Sequence, residues 1–168
     1  KKSLRNGTIL SAEALVRWQK PNGMLVYPDM FIPLAESSGL IEAITDQMLH
    51  RVFADLGAML ASDRSLHVAL NLAAADVSSG RLIPALLNES RRLDVQPAQI
   101  WLEVTERSLV DLACAKITLE RARSAGFVVA LDDFGTGYSS LNYLQQLPLD
   151  VLKIDRSFVD QISEAEEK

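Results

Sequence analysis

The sequence predicts an α/β fold built on a parallel sheet. Three observations predict it: short apolar runs of strand length, longer segments of helical periodicity between them, and no low-complexity linker anywhere in the 168 residues. Strands joined by crossover helices must run parallel. Their nearly continuous apolar character means that both sheet faces are covered, as in a doubly wound sheet or a (β/α) barrel. With 48% of its positions apolar, the chain is long enough for one domain with a substantial core.

The first strand is expected over Thr8–Val16. A short helix around Phe31–Glu36 is separated by Gly39 from a longer one, whose Ile41, Ile44, Met48, Val52, Phe53, Leu56 and Met59 recur at spacings of three and four and so share one face. Leu66–Asn71 reads as the second strand, Leu82–Leu93 as a helix and Ile100–Val104 as the third strand. The next helix spans Leu112–Ala125 and is stopped by Gly126 as a C-terminal cap. Strands at Phe127–Leu131 and Val151–Ile154 complete the order.

A formal net charge of −5 argues against a sequence-independent grip on duplex nucleic acid, which needs many cations on phosphates. A small phosphorylated ligand is compatible with that acidity if bound cations invert the local field. No uninterrupted apolar stretch approaches the ~20 residues of a membrane span, so the chain is read as soluble. Cys114 is the single cysteine, which excludes an intrachain disulfide and a four-cysteine zinc site and fits a reducing cytoplasm. The polar Ser163–Lys168 reads as an exposed tail or a cut edge.

Four apolar runs finish on an oxygen-bearing side chain, at Asn71, Glu103, Asp132-Asp133 and Asp155, and the first run carries Glu13. In a parallel sheet all C-terminal strand ends lie on one edge, so Glu13, Asn71, Glu103, Asp132 and Asp133 are expected to converge. Any one of them alone reads equally as a helix N-cap or a surface carboxylate. Five together point to a site, and an all-oxygen donor set favours Mg²⁺ or Mn²⁺ over zinc. Lys153 lies inside an apolar strand, where an ammonium needs a carboxylate or a reacting oxygen beside it. It is either a buried ion-pair partner or a group that orients or deprotonates water or stabilises charge on phosphate. His50, His67, Trp18, Trp101 and Cys114 read as structural. Asp133-Phe134-Gly135 does not make a kinase without that family's glycine-rich and catalytic loops.

At these residues the sequence resembles the EAL family of cyclic di-GMP phosphodiesterases. The resemblance is carried by Glu13-Ala14-Leu15-Val16-Arg17-Trp18, Phe31-Ile32-Pro33-Leu34-Ala35-Glu36, Asn71-Leu72, Glu103-Val104-Thr105-Glu106, Asp132 through Leu141, and Leu147 through Asp155. It covers residues 1–162 and implies a modified TIM (β/α)8 barrel, of which this chain holds about five parallel strands with their crossover helices. The family's opening strand with Tyr-Gln-Pro, and two last strands, one with Ala-Glu-Gly-Val-Glu, have no counterpart here, so a longer parent is expected. By the same resemblance Glu13, Asn71, Glu103 and Asp132 would hold one Mg²⁺ or Mn²⁺, and Asp132 and Asp133 would contribute to a second. Lys153 would contact the attacking water and, with Glu13 and Asp133, form the catalytic group. Leu15 and Arg17 would face cyclic di-GMP, and Glu106 would anchor the loop starting at Phe134, which in the family couples dimerisation to activity.

The implied reaction is in-line attack of metal-activated water on one phosphodiester bond, giving linear pGpG. Ala73, where the family often has Ser, and Val104, where it often has Leu, leave the ligand atoms intact. The resemblance further implies a homodimer, additional sensory or signalling domains in the parent, and a cytoplasmic location, free or as the cytoplasmic portion of a membrane-anchored protein. A receptor that binds cyclic di-GMP without hydrolysis is the competing reading, but its usual mark, loss of an acidic ligand, is absent. Mg²⁺-assisted proton abstraction in an enolase-like barrel would need more than Lys153 as base.

Overall fold

The computed structural model describes residues 7, 9–135, 146–155 and 157, and its spine is a five-stranded parallel sheet that curls into part of a barrel. The strands, in sheet order, are β1 (Ser11–Ala14), β4 (His67–Asn71), β5 (Ile100–Thr105), β6 (Val128–Phe134) and β7 (Val151–Ile154). Each consecutive pair in that order is parallel, as the crossover argument requires.

Period-two alternation gives the sheet two different faces. Val68, Leu70, Leu102, Val104, Val129 and Leu131 are buried and belong to the same apolar cluster as Phe53, Leu86, Leu119 and Ala122 of the helices. The intervening positions, Glu13, Asn71, Glu103, Asp132 and Lys153 among them, occupy the concave face. The (β/α)-barrel reading of the sheet holds, and its two faces differ in kind. Helices cover the convex face, and the concave face carries polar groups because a sheet closing on itself turns that side toward its own interior.

The helices are α1 (Pro28–Ser37), α2 (Ile41–Ser62), α3 (Ala74–Ser79), α4 (Leu82–Arg92) and α5 (Leu112–Ser124). Gly39 separates α1 from α2 at φ 75°, and Gly126 follows α5 at φ 93°, both in the left-handed region where a side chain is strained. Two features have no counterpart in the sequence expectation. The first strand is shorter than Thr8–Val16, and an antiparallel hairpin of β2 (Trp18–Gln19) and β3 (Leu25–Val26) follows it. Six-residue α3 also goes unpredicted, because it is too short to show a helical period.

Asp132 and Asp133 were expected just after their strand, and they lie inside it. β6 runs on to Phe134, with a register irregularity between Leu131 and Phe134 and with Asp133 at φ 54°. An irregularity of this kind turns consecutive side chains away from simple alternation.

At the opposite, N-terminal edge, buried Gln99 ties α2 to the sheet. The two hydrogens of its amide nitrogen Nε2 are shared among the carbonyls of Leu60 (2.8 Å), Asp63 (2.9 Å) and Leu66 (2.9 Å). Gln99→Met keeps the volume but orphans these acceptors, so urea unfolding is expected to show stability lowered by about 2 kcal/mol with an unchanged m-value. No helix among the described residues is long and apolar enough to cross a membrane.

Candidate active site at the carboxyl ends of the strands

The sheet register brings the sequence-predicted acids together. Asn71 pairs with Glu103, and Thr105 with Asp132, so the ends of β4, β5 and β6 stand side by side with Glu13 on neighbouring β1. Carboxylate oxygens of Glu13, Glu103 and Asp132 lie within 4.8 Å of one another. Asn71 Nδ2 donates to Glu13 Oε1 at 3.0 Å. Lys153 enters the same group from β7: its Nζ donates to Glu103 Oε2 at 2.8 Å and to Asp132 Oδ2, and stands 3.9 Å from Glu13 Oε2. The ion-pair reading of Lys153 is thus realised, with three carboxylates as partners.

These groups differ in their contact with water. The side chain of Glu103 is fully buried, those of Asp132 and Lys153 are each 18% exposed, and that of Glu13 is 37% exposed. Burial pushes the Glu103 carboxyl above its ordinary value, even though Lys153 pulls the other way. Burial would lower the Lys153 ammonium, but its hydrogen bonds to Asp132 and Glu103 outweigh that and raise it. The same two carboxylates thus favour the ammonium form of Lys153. Glu103 Oε1 is buried and has no hydrogen-bond partner among the described residues. Such an oxygen is costly unless something positive reaches it.

Asp133 stands outside the close group. Its N–H donates to Asp132 Oδ1 at 2.9 Å, and its carboxyl is pushed up by partial desolvation and then by the charges of Asp132 and Asp155, although the side chain as a whole is exposed. Asp132 and Asp155 thus make the ionised form of Asp133 costlier, and added positive charge beside it is favoured.

Beside Asn71 the same edge opens into a cavity of about 620 Å³, lined by Leu15, Ile32, Glu36, Leu72, Thr105 and Arg107 among others. Leu15 is 54% exposed there. Arg17 lies outside it, with its guanidinium over the Tyr27 ring at 5.3 Å and Nη1 donating to Val16 O at 2.8 Å. Glu36 and Arg107 were not assigned a site role from the sequence; Glu36 closes the Phe31–Glu36 segment of the resemblance, and Arg107 had only its position just past a strand end as a signal. Glu106 opens a short 3-10 turn, Glu106–Ser108, and its Oε1 is buried without a partner among the described residues. The expected role of Glu106 toward the loop starting at Phe134 concerns residues 136–145, which lie outside the described residues.

The sequence profile of the EAL domain matches residues 2–168, from before Glu13 to beyond Lys153. The chain belongs to the EAL domain family. It is 44% identical over 160 residues to a probable cyclic di-GMP phosphodiesterase, PdeB, of Escherichia coli strain K12, covering 95% of this chain and 31% of that protein. It is 41% identical over 162 residues to the cyclic di-GMP phosphodiesterase NbdA of Pseudomonas aeruginosa, covering 95% of this chain and 21% of that protein. Among solved structures, the PaMucR phosphodiesterase in complex with c-di-GMP superposes with a TM-score of 0.83 at 36% identity, covering 94% of this chain and 65% of that one. The EAL enzyme Bd1971, bound to cAMP and cyclic di-GMP, gives 0.86 at 34%, covering 97% and 46%. The chain thus spans about a fifth to a third of these curated relatives.

Membership in the EAL family agrees with the TIM-barrel-like curl of the sheet and with the acid group at its carboxyl edge. His67 and Trp101 sit lower on the same concave face, stacked at 4.1 Å with their rings 11° apart, and there pack the barrel interior of this EAL domain. Trp18 packs edge-on against Phe31 at 6.0 Å.

Proposed function

We propose that this EAL domain carries the active site of a metal-dependent phosphodiesterase that opens cyclic di-GMP to linear pGpG. The observation that carries the proposal is the convergence of Glu13, Glu103 and Asp132 around Lys153, with their oxygens within 4.8 Å at the carboxyl edge of a partial barrel. The buried Glu103 Oε1, which has no partner among the described residues, and the oxygen-bearing donor set fit Mg²⁺ or Mn²⁺. We assign Glu13, Asn71, Glu103 and Asp132 to one ion, and Asp132 with Asp133 to a second. When bound, such ions supply positive charge that lowers the pKa of water and offsets the charge of the phosphodiester.

Around that chemistry the side chains divide the work. Glu103 and Asp132 hold Lys153 as a cation, so its Nζ–H groups orient the attacking water and stabilise charge developing on phosphate. Water oxygen attacks phosphorus, the bond from phosphorus to the ribose 3′ oxygen breaks, and a proton from the water balances the released 3′ hydroxyl. Leu15 supplies apolar contact for the dinucleotide at the mouth of the cavity, and Arg17 a charge suited to its phosphate. Glu106 is assigned to the loop starting at Phe134. That the relatives are three to five times longer supports further signalling domains in the full protein, which we read as a homodimer in the cytoplasm or anchored beside it.

The test is conversion of cyclic di-GMP by the full-length protein, followed by chromatography. pGpG is expected with Mg²⁺ and with Mn²⁺, and EDTA is expected to reduce it to background. Turnover that survives EDTA would remove the metal from the proposal, and tight binding of cyclic di-GMP with no pGpG under either ion would replace the enzyme by a receptor.

A further inference from the structure

We infer that Asp150 is a positioning residue that locks the register of β7 against β6, and thereby delivers Lys153 to Glu103 and Asp132. The inference uses the phosphodiesterase reading for one of its two readouts only.

The need for a lock follows from the weakness of the β6–β7 ladder. β7 has only four residues. Ala130 pairs with Val151 and Leu131 with Leu152, but the register then breaks and resumes only at Phe134 and Ile154. Lys153 therefore stands opposite the irregular Asp132-Asp133 step, where regular pairing gives it no support. A slip of one residue would shift β7 by about 3.3 Å and turn each side chain to the other face. Lys153 would leave the acid group, and Leu152 or Ile154 would take its place.

Asp150 supplies the missing constraint by binding both polar groups of a single β6 residue. Its backbone N–H donates to Val129 O at 2.9 Å, and its Oδ2 accepts the Val129 N–H at 2.9 Å. Its other oxygen, Oδ1, accepts from Arg123 Nε at 2.9 Å and lies 2.8 Å from Arg123 Nη2. Arg123 belongs to the last turn of α5, which contacts β6, so the carboxylate joins α5, β6 and β7 at one point. Beyond the irregular step, Asp155 N–H donates to Phe134 O at 3.1 Å and holds the other end. A slip in either direction breaks the two bonds to Val129 together. Asn at this position would keep an acceptor for Val129 while losing the charge toward Arg123, and Ala would lose both.

The experiment compares the full-length protein with D150A, D150N and R123Q. One readout is independent of catalysis: the acetylation rate of Lys153 measured by mass spectrometry in the metal-free protein, with the 53% exposed Lys116 as internal reference. The other is the division between kcat and KM. In D150A, Lys153 is expected to label as fast as Lys116, and kcat to fall about 100-fold with KM little changed, as misplacement of one group by an ångström or more does. D150N is expected to restore slow labelling and most of kcat. If D150A does not fold, R123Q, which removes half of the clamp, is expected to raise labelling and lower kcat by about threefold. A folded D150A with slow Lys153 labelling, or unchanged labelling in R123Q when D150A is unfolded, would overturn the inference. Should the wild type bind cyclic di-GMP without turnover, the enzyme reading fails, and labelling alone decides the role of Asp150.

Discussion

Glu13→Ala in the full-length protein is expected to lower turnover of cyclic di-GMP by about a thousandfold or more, the scale of a lost metal or electrostatic contribution of several kcal/mol. Its effect on folding should be small. The Glu13 side chain is 37% exposed, it accepts a hydrogen bond from Asn71, and exposed changes of this kind usually stay within about 0.5 kcal/mol. The measurement pairs kcat with a urea unfolding curve on the same sample. Normal hydrolysis by a folded Glu13→Ala protein would remove Glu13 from the proposed site. A large loss of stability would instead make it a structural residue of β1.

Lys153→Met should separate chemistry from metal binding. The ammonium donates to the carboxylates of Glu103 and Asp132, the same groups that would hold an ion, so cation and ammonium compete for their negative charge. Removing Lys153 is therefore expected to lower kcat by about 100-fold or more while Mn²⁺ binds at least as tightly. In the absence of metal the same variant leaves Glu103 buried with no cation beside it. Breaking one side of a buried ion pair costs about 3 kcal/mol, so Tm should drop in EDTA and recover with Mn²⁺. Weaker Mn²⁺ binding in Lys153→Met would show that Lys153 organises the acids for the ion instead of competing with it.

The charge states give this comparison a pH sense. Burial raises the Glu103 carboxyl, so as pH falls Glu103 takes up a proton earlier than an ordinary glutamate and its bond to Lys153 weakens first on the acid side. The raised Lys153 contributes stability that is fully present below the unfolded lysine value and is lost only as pH rises through its higher folded value. In the metal-free protein the ties that Lys153 makes from β7 to β5 and β6 should persist into strongly alkaline solution and loosen from the acid side.

How much of this was legible beforehand varies by residue. Glu13, Asn71, Glu103 and Asp132 could be read because each stands at or near the end of an apolar run, and parallel strands put such ends on one edge. Gly39 and Gly126 were legible as helix punctuation. The β2–β3 hairpin and α3 were not, because elements of two to six residues show no period long enough to recognise. The placement of Asp132 and Asp133 within β6 was missed for a related reason: consecutive carboxylates read as the end of an apolar strand, although the ladder continues past them.

The sequence by itself determined the family, the alternation of strands and helices, and the identity of the oxygen-bearing residues, because these depend on residue types and spacings along the chain. Only the tertiary structure decided that Lys153 is shared among Glu13, Glu103 and Asp132, that Asp133 stands apart from them, and that Asp150 holds β7 through Val129 and Arg123. These facts depend on register between distant strands and on the irregular step in β6. A shift of one residue there moves every side chain to the opposite face without altering a single local preference.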